Sequence, residues 1–340
     1  MQAIVYDRFG SADVLELREV SKPGVKPGEV LVRVRAASPN PYDWHFMRGM
    51  PYIARPATGF LKPKNSILGS DMAGEVEAVG DGVTRFRQGD AVFGFVGAGG
   101  FAEYVSVTEE RLALKPANLT FEQAATVPLA AMTALQGLRD EGEIRSGQKV
   151  LIVGASGGVG TFAVQIANWY GADVTGVCST RNVELVRSIG AANVIDYTAE
   201  DFTRSGRKYD LIFQLAGTAS PSACRRALTA RGTLVLSSGD SPGRIIGAVG
   251  RIIKAVILSP FVPEKLRLLN TKARSDDLQF LKDLIEAGSV TPVIDRAYPL
   301  SEAPDAIRYL ETGRARGKVV ISVLDSAKAK QAITEEGSLA

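Results

Sequence analysis

The fold is decided by residues 149–160, which read KVLIVGASGGVG. After Lys149, the next four residues are an apolar run that fits a strand, and the glycines that follow predict a tight turn. The apolar residues that come next recur with the 3.6-residue period of a helix: Val159, Phe162, Ala163, Ile166, Ala167 and Tyr170. The stretch therefore predicts a strand, a glycine turn and an amphipathic helix.

A turn of this kind holds the pyrophosphate of a dinucleotide when small residues stand at three positions. Ala155, Gly157 and Gly160 have that spacing. The free N–H groups at the start of the helix would then hold the pyrophosphate. The residues expected at this site are Ala155, Ser156, Gly157, Gly158, Val159 and Gly160.

Two other interpretations of the same turn stay open. The glycines make a turn and nothing more, or Gly154-x-Ser156-x-Gly158 is the nucleophile elbow of a serine hydrolase. The hydrolase needs a histidine after the serine, whereas the single histidine of the chain is His45. Dinucleotide binding is the favoured interpretation.

Outward from this stretch, apolar strands alternate with helical patterns from about residue 126 to 290, which predicts a parallel sheet covered on both faces. The predicted strands are residues 149–153, 174–177, 193–195, 210–213 and 232–236. Before residue 126, short β-rich runs separated by Gly and Pro predict a largely antiparallel sheet. These runs are residues 3–6, 30–34, 74–79 and 90–94. Near the end, a helix from Ser301 to Leu310 and a strand at 318–321 are expected, so the fold class is α/β.

The amino-acid composition excludes several classes of function. The 340 residues suffice for two domains, and 40 basic against 37 acidic residues leave a net charge of +3 without a basic run, which argues against nucleic-acid binding. Two cysteines and one histidine exclude a disulfide scaffold, a Cys₄ zinc lobe and any metal site with two imidazoles. The N-terminus carries no secretory signal, so the expected location is cytoplasmic.

One apolar segment, residues 244–262, resists the two-domain interpretation. It contains Arg244, Arg251, Lys254 and Pro260, and falls short of the ~20 apolar residues that span a bilayer. We expect a helix that covers the substrate cleft or contacts another subunit, with membrane contact as the weaker alternative.

The end of the second strand of the parallel sheet favours NADPH over NADH. An NAD site carries an acidic residue there, whereas this chain has Ser179, Thr180 and Arg181, with no acid before Glu184. Two hydroxyls and a guanidinium suit a 2′-phosphate. The alternative is that Arg181 is a solvated residue at a helix start.

These features resemble the zinc-independent quinone oxidoreductase branch of the medium-chain dehydrogenase/reductase superfamily. The signature of that branch is matched at Gly147-Gln148, Leu151, residues 155–160 and Gln165, and departs at Asn168. Further motifs follow in family order: residues 40–43 (NPYD), 69–74 (GSDMAG), 100–104 (GFAEY), 127–134 (VPLAAMTA) and 317–320 (GKVV).

The resemblance implies a GroES-like domain of residues 1–125 and 291–340, a Rossmann domain of residues 126–290, and a cleft at their junction. In the zinc alcohol dehydrogenases a cysteine stands at the position of Asn40 and a histidine at that of Ser70, so no metal site is expected here. An exposed sheet edge in the cofactor domain predicts a homodimer.

The resemblance also assigns site residues. Asn40 is expected near the nicotinamide and the substrate oxygen, Thr133 beside the nicotinamide, and Tyr197 near the adenosine phosphate. Backbone groups around Ser238 are candidates for holding the carboxamide, and Lys318 is expected in the cofactor site. Tyr42, Asp43 and Tyr52 are candidate donors or orienting residues; the two tyrosines serve equally well as amphipathic wall residues.

The expected function is NADPH-dependent, zinc-independent reduction of quinones or α,β-unsaturated carbonyls by hydride transfer. A zinc-free NADP-dependent alcohol or carbonyl dehydrogenase is the alternative in chemistry. A low-turnover NADPH-binding sensor or structural protein is the alternative from another class. His45, between Trp44 and Phe46, and the two cysteines, Cys178 and Cys224, are expected to be structural.

Overall fold

The computed structural model of the chain describes residues 1–50, 52, 55–237 and 249–323. Within these residues the strands form a seven-stranded sheet, a six-stranded sheet and a separate two-stranded ribbon of β1 and β2. The strands are β1 (Gln2–Val5), β2 (Glu16–Glu19), β3 (Glu29–Ser38), β4 (Asp71–Val79), β5 (Ala91–Phe95), β6 (Tyr104–Thr108), β7 (Leu112–Leu114), β8 (Lys149–Val153), β9 (Asp173–Cys178), β10 (Asn193–Asp196), β11 (Tyr209–Gln214), β12 (Leu228–Leu236), β13 (Lys265–Leu268), β14 (Ile294–Pro299) and β15 (Lys318–Ser322). The helices are α1 (Pro41–Arg48), α2 (Arg55–Thr58), α3 (Phe121–Ala125), α4 (Pro128–Gln136), α5 (Gly158–Trp169), α6 (Val183–Ser188), α7 (Pro221–Arg225), α8 (Val249–Leu258), α9 (Ser275–Glu286) and α10 (Ala303–Glu311).

The seven-stranded sheet is antiparallel except where β14 runs parallel to β15. Its long strand β3 pairs with β4, with β6 and with β15. Val30, Val32 and Val34 alternate along β3 and pack into the core of this domain. Because β15 pairs with β3, the C-terminal part of the chain completes a sheet that the N-terminal part begins. The predicted GroES-like antiparallel domain is confirmed.

The six-stranded sheet is parallel throughout, in the order β10-β9-β8-β11-β12-β13. Its central strand β8 buries both faces: Val150 and Ile152 join one core, and Leu151 and Val153 join another. This is the burial that a near-continuous apolar run predicts. The strand order is that of a dinucleotide-binding fold, which binds its ligand where the order reverses, between β8 and β11. The predicted Rossmann domain is confirmed.

The apolar segment predicted at residues 244–262 contains α8, and its residues 244–248 lie outside the described part of the chain. Ala255 packs into a core, whereas Ile253, Val256 and Ile257 are exposed. Among the side chains of this segment that the structure describes, residues 253 and 255–262, none lines the large cleft described below. Among the described residues, the helices are all too short or too polar to cross a membrane.

Candidate functional site

A cleft of about 1490 Å³ passes the carboxyl ends of β8, β9 and β11 and is lined by residues of both domains. The two domains meet in it through an isolated β-bridge between Gly157 and Gly317. The N–H of Gly317 also donates to the carbonyl oxygen of Ser156 at 2.8 Å. The cleft therefore lies at the switch point of the parallel sheet, where this fold binds its ligands.

The glycine turn has the geometry that the sequence predicts. A Cβ on Gly160 would stand 2.1 Å from the carbonyl oxygen of Gly154, so the helix could not approach the strand with a side chain there. A Cβ on Gly157 would meet a single atom within 4 Å, which leaves an open cradle in front of α5. The first-turn N–H groups of α5 have no acceptors within the helix. A pyrophosphate fits this cradle.

The residues of the predicted cofactor loop divide into two groups. Ser156, Gly157, Gly158, Val159 and Gly160 line the cleft. Ala155 is fully buried beneath them, so its contribution is to the shape of the turn.

Asn182 ties this loop to the end of β9. Its Nδ2 donates to the Oγ atoms of Ser156, at 2.9 Å, and of Ser179, at 3.3 Å. The side chain is buried, and its Oδ1 has no hydrogen-bond partner among the described residues. A buried acceptor without a donor is costly unless a ligand supplies one. The unsatisfied oxygen is thus a second observation, independent of the glycine turn, that fits a bound ligand.

The end of the cleft beside β9, where the adenosine is expected, is lined by Ser179, Thr180, Arg181, Tyr197 and a residue that the sequence did not single out, Arg314. The Nη2 of Arg181 donates to the backbone carbonyl oxygen of Arg314 at 2.7 Å, and both arginines line this end of the cleft. A guanidinium group is suited to a phosphate.

Thr180 has a different partner from the one expected. Its hydroxyl donates to Asp196 at 2.6 Å, and bonds from Thr180 and Thr198 lower the pKa of that carboxyl. The hydroxyl proton of Thr180 is therefore committed to a carboxylate, and a donor role toward a phosphate requires that bond to break.

At the other end of the cleft, Asn40 is the centre of a buried polar cluster. Its Nδ2 donates to Ser70 Oγ at 3.0 Å and to Asp71 Oδ2 at 2.9 Å. Its Oδ1 accepts from Lys318 Nζ at 2.6 Å. The amide hydrogens are thus directed at protein acceptors, of which the carbonyl oxygen of Ser38 is a third at 3.3 Å, and the amide oxygen holds the ammonium of Lys318.

Asp43 holds the same cluster from behind. It starts α1 by accepting from the N–H of Asn40 at 2.7 Å, and it accepts from Ser70 Oγ at 2.9 Å. Asp43 is buried and does not line the cleft. Its carboxylate also accepts from the N–H of Gly69 at 3.2 Å, so among the described residues its contacts are with the groups behind the cleft wall.

Three ionisable groups share this buried space. Burial raises the pKa of Asp43 to about 6 and that of Asp71 to about 7. Burial also lowers the pKa of Lys318, opposed by the nearby Asp71, 3.8 Å away. Burial is the largest cause of both upward shifts; the charge of Asp43 adds to the shift of the Asp71 pKa, and the Lys318 ammonium opposes both shifts.

This cluster does not fit a catalytic zinc. In the described part of the chain no three His, Cys, Asp or Glu side chains are grouped as metal ligands. The amide and hydroxyl of Asn40 and Ser70 are weak ligands for zinc, and the Lys318 ammonium beside Asn40 would repel a cation.

Thr133, expected beside the nicotinamide, lies on α4 and lines the cleft. Its hydroxyl donates to the carbonyl oxygen of Leu129 at 2.6 Å and lies 3.0 Å from the hydroxyl of Thr271. Tyr42 lines the same part of the cleft and packs edge-on against Phe95, so it has the amphipathic surroundings of a wall residue.

Among the described residues, Tyr52 is a further predicted site residue that the structure does not bring to this cleft. Tyr52 is 47% exposed, lies under the guanidinium of Arg55 at 4.7 Å, and is not part of the cleft lining. Ser238 lies outside the described residues. The neighbouring Ser237 lines the cleft.

The residues expected to be structural have packed surroundings. The ring of His45 stacks on Trp44 with centroids 3.7 Å apart, and its Nδ1 lies 3.2 Å from the carbonyl oxygen of Met50. Cys178 and Cys224 are buried, and burial raises the pKa of Cys178 to about 11. A thiol with that pKa is a poor nucleophile near neutral pH.

Several residues that line or support the cleft could not be assigned to it from the sequence. Asp71 was visible only as part of a motif, and Asn182, Thr271 and Arg314 only as polar residues in loops. A hydrogen-bonded partner more than a hundred residues away, such as Thr271 for Thr133, is not evident from local pattern.

Comparison with known proteins identifies both halves of the chain. Residues 26–117 match the family described as alcohol dehydrogenase GroES-like domain, and residues 189–321 match the family described as zinc-binding dehydrogenase. The chain is 36% identical to the 2-methylene-furan-3-one reductase of Solanum lycopersicum over 335 residues, covering 94% of this chain and 79% of that protein. It is likewise 36% identical to the chloroplastic NADPH-dependent alkenal/one oxidoreductase of Arabidopsis thaliana, with the same coverage.

A solved structure agrees over nearly the whole length. The quinone oxidoreductase from Coxiella burnetii superposes with a TM-score of 0.84 at 32% sequence identity, covering 95% of this chain and 99% of that one. The chain therefore belongs to the quinone oxidoreductase branch of the medium-chain dehydrogenase/reductase superfamily, and it is an NAD(P)-dependent oxidoreductase.

Proposed function

We propose that this protein binds NADPH and reduces the conjugated double bond of α,β-unsaturated carbonyls, or quinones, without a catalytic zinc. The observation that carries the proposal is the buried cluster around Asn40, where the amide of Asn40 and the hydroxyl of Ser70 stand at the positions of zinc ligands, beside the Lys318 ammonium. Alkenal/one and quinone oxidoreductases among the relatives support the same chemistry.

The chain supplies binding and orientation. The cradle of residues 156–160 and the N-terminus of α5 would hold the pyrophosphate, and Thr133 would face the nicotinamide. Bound NADPH supplies the hydride. As an enone or quinone accepts it, negative charge develops on the acceptor oxygen, where a fixed hydrogen-bond donor is most effective.

Lys318 is the donor that fits this role among the cleft residues. Its ammonium has three hydrogens, of which one bonds Asn40 Oδ1 and another is directed toward Asp71. The remaining N–H can donate to a cofactor or substrate oxygen. Asn40 and Asp71 would then act as positioning residues for that ammonium.

The preference for NADPH over NADH rests on charge at the end of β9. Arg181 and Arg314 line that end of the cleft, and Tyr197 stands beside them. No acidic residue follows β9 before Glu184. Asp196 lies close by, but Thr180 is hydrogen-bonded to it. Two guanidinium groups would attract a 2′-phosphate.

Three further expectations belong to this proposal. Domain limits at 1–125 with 291–340 and at 126–290 remain our prediction, as does a cytoplasmic location. We also expect a homodimer, since β13 pairs only with β12 among the described strands and so leaves a sheet edge open. Light scattering of the purified protein tests the last of these.

Initial rates with NADPH or NADH and three acceptors test the function. We expect turnover of a simple enone and a simple quinone, faster with NADPH, and little turnover of a saturated aldehyde. Faster turnover of the saturated aldehyde would favour a zinc-free carbonyl or alcohol dehydrogenase. Tight NADPH binding with no turnover of any acceptor would favour a sensor or structural role.

A further inference from the structure

The wall of the cleft beside Thr133 is built from two segments that are far apart in the chain. These are α4 and the loop of residues 269–274, which follows β13. Gln136 forms two hydrogen bonds with the backbone of Lys272: its Nε2 donates to the carbonyl oxygen at 2.7 Å, and its Oε1 accepts from the N–H at 2.9 Å. Thr133, one helical turn earlier, contacts the neighbouring residue of the loop through its side chain: its hydroxyl lies 3.0 Å from the hydroxyl of Thr271.

Further contacts hold this wall in place. Gln136 Nε2 also donates to Asp277 Oδ2 at 2.7 Å, and Arg139 forms an ion pair with the same carboxylate at 2.8 Å. Gln136 and Asp277 are both buried. The hydroxyl of Thr271 is therefore held at a fixed place on the cleft wall rather than on a free loop.

The hydroxyl protons of the two threonines can be assigned from geometry. Thr133 Oγ1 lies 2.6 Å from the carbonyl oxygen of Leu129, which can only accept, so the proton of Thr133 lies in that bond. The 3.0 Å contact between the two hydroxyl oxygens needs one proton between them, and only that of Thr271 remains. Thr271 thus donates to Thr133.

This assignment makes the site selective. Both hydroxyl protons are used, so only oxygen lone pairs of the pair can face the cleft. A ligand group bound there must donate a hydrogen bond. A developing oxyanion of the substrate is excluded from this spot, because it would meet an acceptor.

We propose that Thr271 Oγ1 accepts a hydrogen bond from the amino group of the cofactor's carboxamide and so fixes the nicotinamide ring. The inference rests on the proposed NADP binding, with the nicotinamide beside Thr133. The neighbouring lining residues Ala130 and Leu269 are apolar, as suits the face of an aromatic ring. Among the polar groups of the nicotinamide, the carboxamide nitrogen is the one that only donates.

Calorimetric titration of three ligands in the absence of an acceptor substrate tests the proposal. The ligands are NADP⁺, its 3-acetylpyridine analogue, in which a methyl group replaces the amino group, and 2′-phospho-ADP-ribose, which lacks the nicotinamide. The variants are Thr271→Val, which removes the acceptor, and Thr271→Ser, which keeps it. Thr84→Val, at an exposed threonine outside the cleft, is the matched control.

We expect Thr271→Val to weaken NADP⁺ binding about five- to tenfold, the net effect of one hydrogen bond. The same variant should bind the acetylpyridine analogue and 2′-phospho-ADP-ribose as the unsubstituted protein does. Thr271→Ser and Thr84→Val should leave all three affinities unchanged.

The assignment is overturned if Thr271→Val weakens the binding of NADP⁺ and of the acetylpyridine analogue equally, or if it weakens the binding of neither. Weaker binding of all three ligands by Thr271→Val would mean instead that the substitution disturbs the fold of the wall. Because no acceptor is present, a protein that reduces no enone or quinone can still pass this test. Failure of the unsubstituted protein to bind NADP⁺ refutes both the assignment and the proposed function.

Discussion

Replacing Lys318 by Met removes the one ammonium in the buried cluster around Asn40. The straight side chain of Met keeps much of the packing of the lysine stem, whose Cδ lies against Gly158. What is lost is the bond to Asn40 Oδ1, 2.6 Å long, and the charge 3.8 Å from Asp71. Lys318 is 4% exposed, so little water reaches the place of the missing group.

Removing one partner of a buried ion pair costs about 3–5 kcal/mol of unfolding free energy, because the other charge is left unpaired. Asp71 can relieve part of this cost by taking up a proton, since its pKa is already raised to about 7. We therefore expect nearly the full cost at pH 8.5 and a smaller one at pH 6. Urea unfolding at the two pH values measures both.

The double variant Lys318→Met with Asp71→Asn removes both charges and serves as the control. It should be more stable than Lys318→Met alone at pH 8.5, because no buried charge is left without a partner. The reasoning is refuted if Lys318→Met unfolds at the same urea concentration as the unsubstituted protein, or if the two substitutions are simply additive.

Three more substitutions test other parts of the site. Arg181→Ala should raise the KM for NADPH about tenfold and leave that for NADH unchanged, through loss of a charge-assisted hydrogen bond; equal effects on both would contradict the preference. Gly160→Ala should lower the free energy of unfolding by ~1–3 kcal/mol, because its Cβ would stand 2.1 Å from the carbonyl oxygen of Gly154. The control Gly24→Ala has open space around its Cβ and should leave the unfolding temperature unchanged. Because the pKa of Asp71 is raised in the folded state, the unsubstituted protein should lose stability as the pH rises from about 4 through about 7. The melting temperature of Asp71→Asn should therefore rise relative to that of the unsubstituted protein between pH 5 and pH 8. A constant difference would show that the carboxyl stays ionised throughout.

Much of the fold is predictable because its signals are local. Residues 149–153 are apolar at every position after the first, and they form a strand buried on both faces. The glycines that follow have spacing that only a tight turn with close helix packing requires, and the structure leaves no room for a Cβ at Gly160. Such patterns need no knowledge of distant residues.

The site is only partly predictable, because its chemistry depends on contacts between distant segments. Asn40 was expected at the site, but its bond to Lys318, 278 residues away, could not be read from the sequence around it. Thr133 was expected beside the nicotinamide, but Leu129 and Thr271 decide that its hydroxyl cannot donate there. The burial that raises the pKa of Asp71 likewise arises only in the assembled fold.

Product analysis with deuterated NADPH tests the central claim most directly. The chelator-treated protein is incubated with a simple enone and with NADPH carrying deuterium at the transferable position, in separate runs for its two faces. We predict the saturated ketone, with deuterium on the former β-carbon in one of the two runs. An allylic alcohol with deuterium on the carbonyl carbon, or no product despite cofactor binding, would contradict the account.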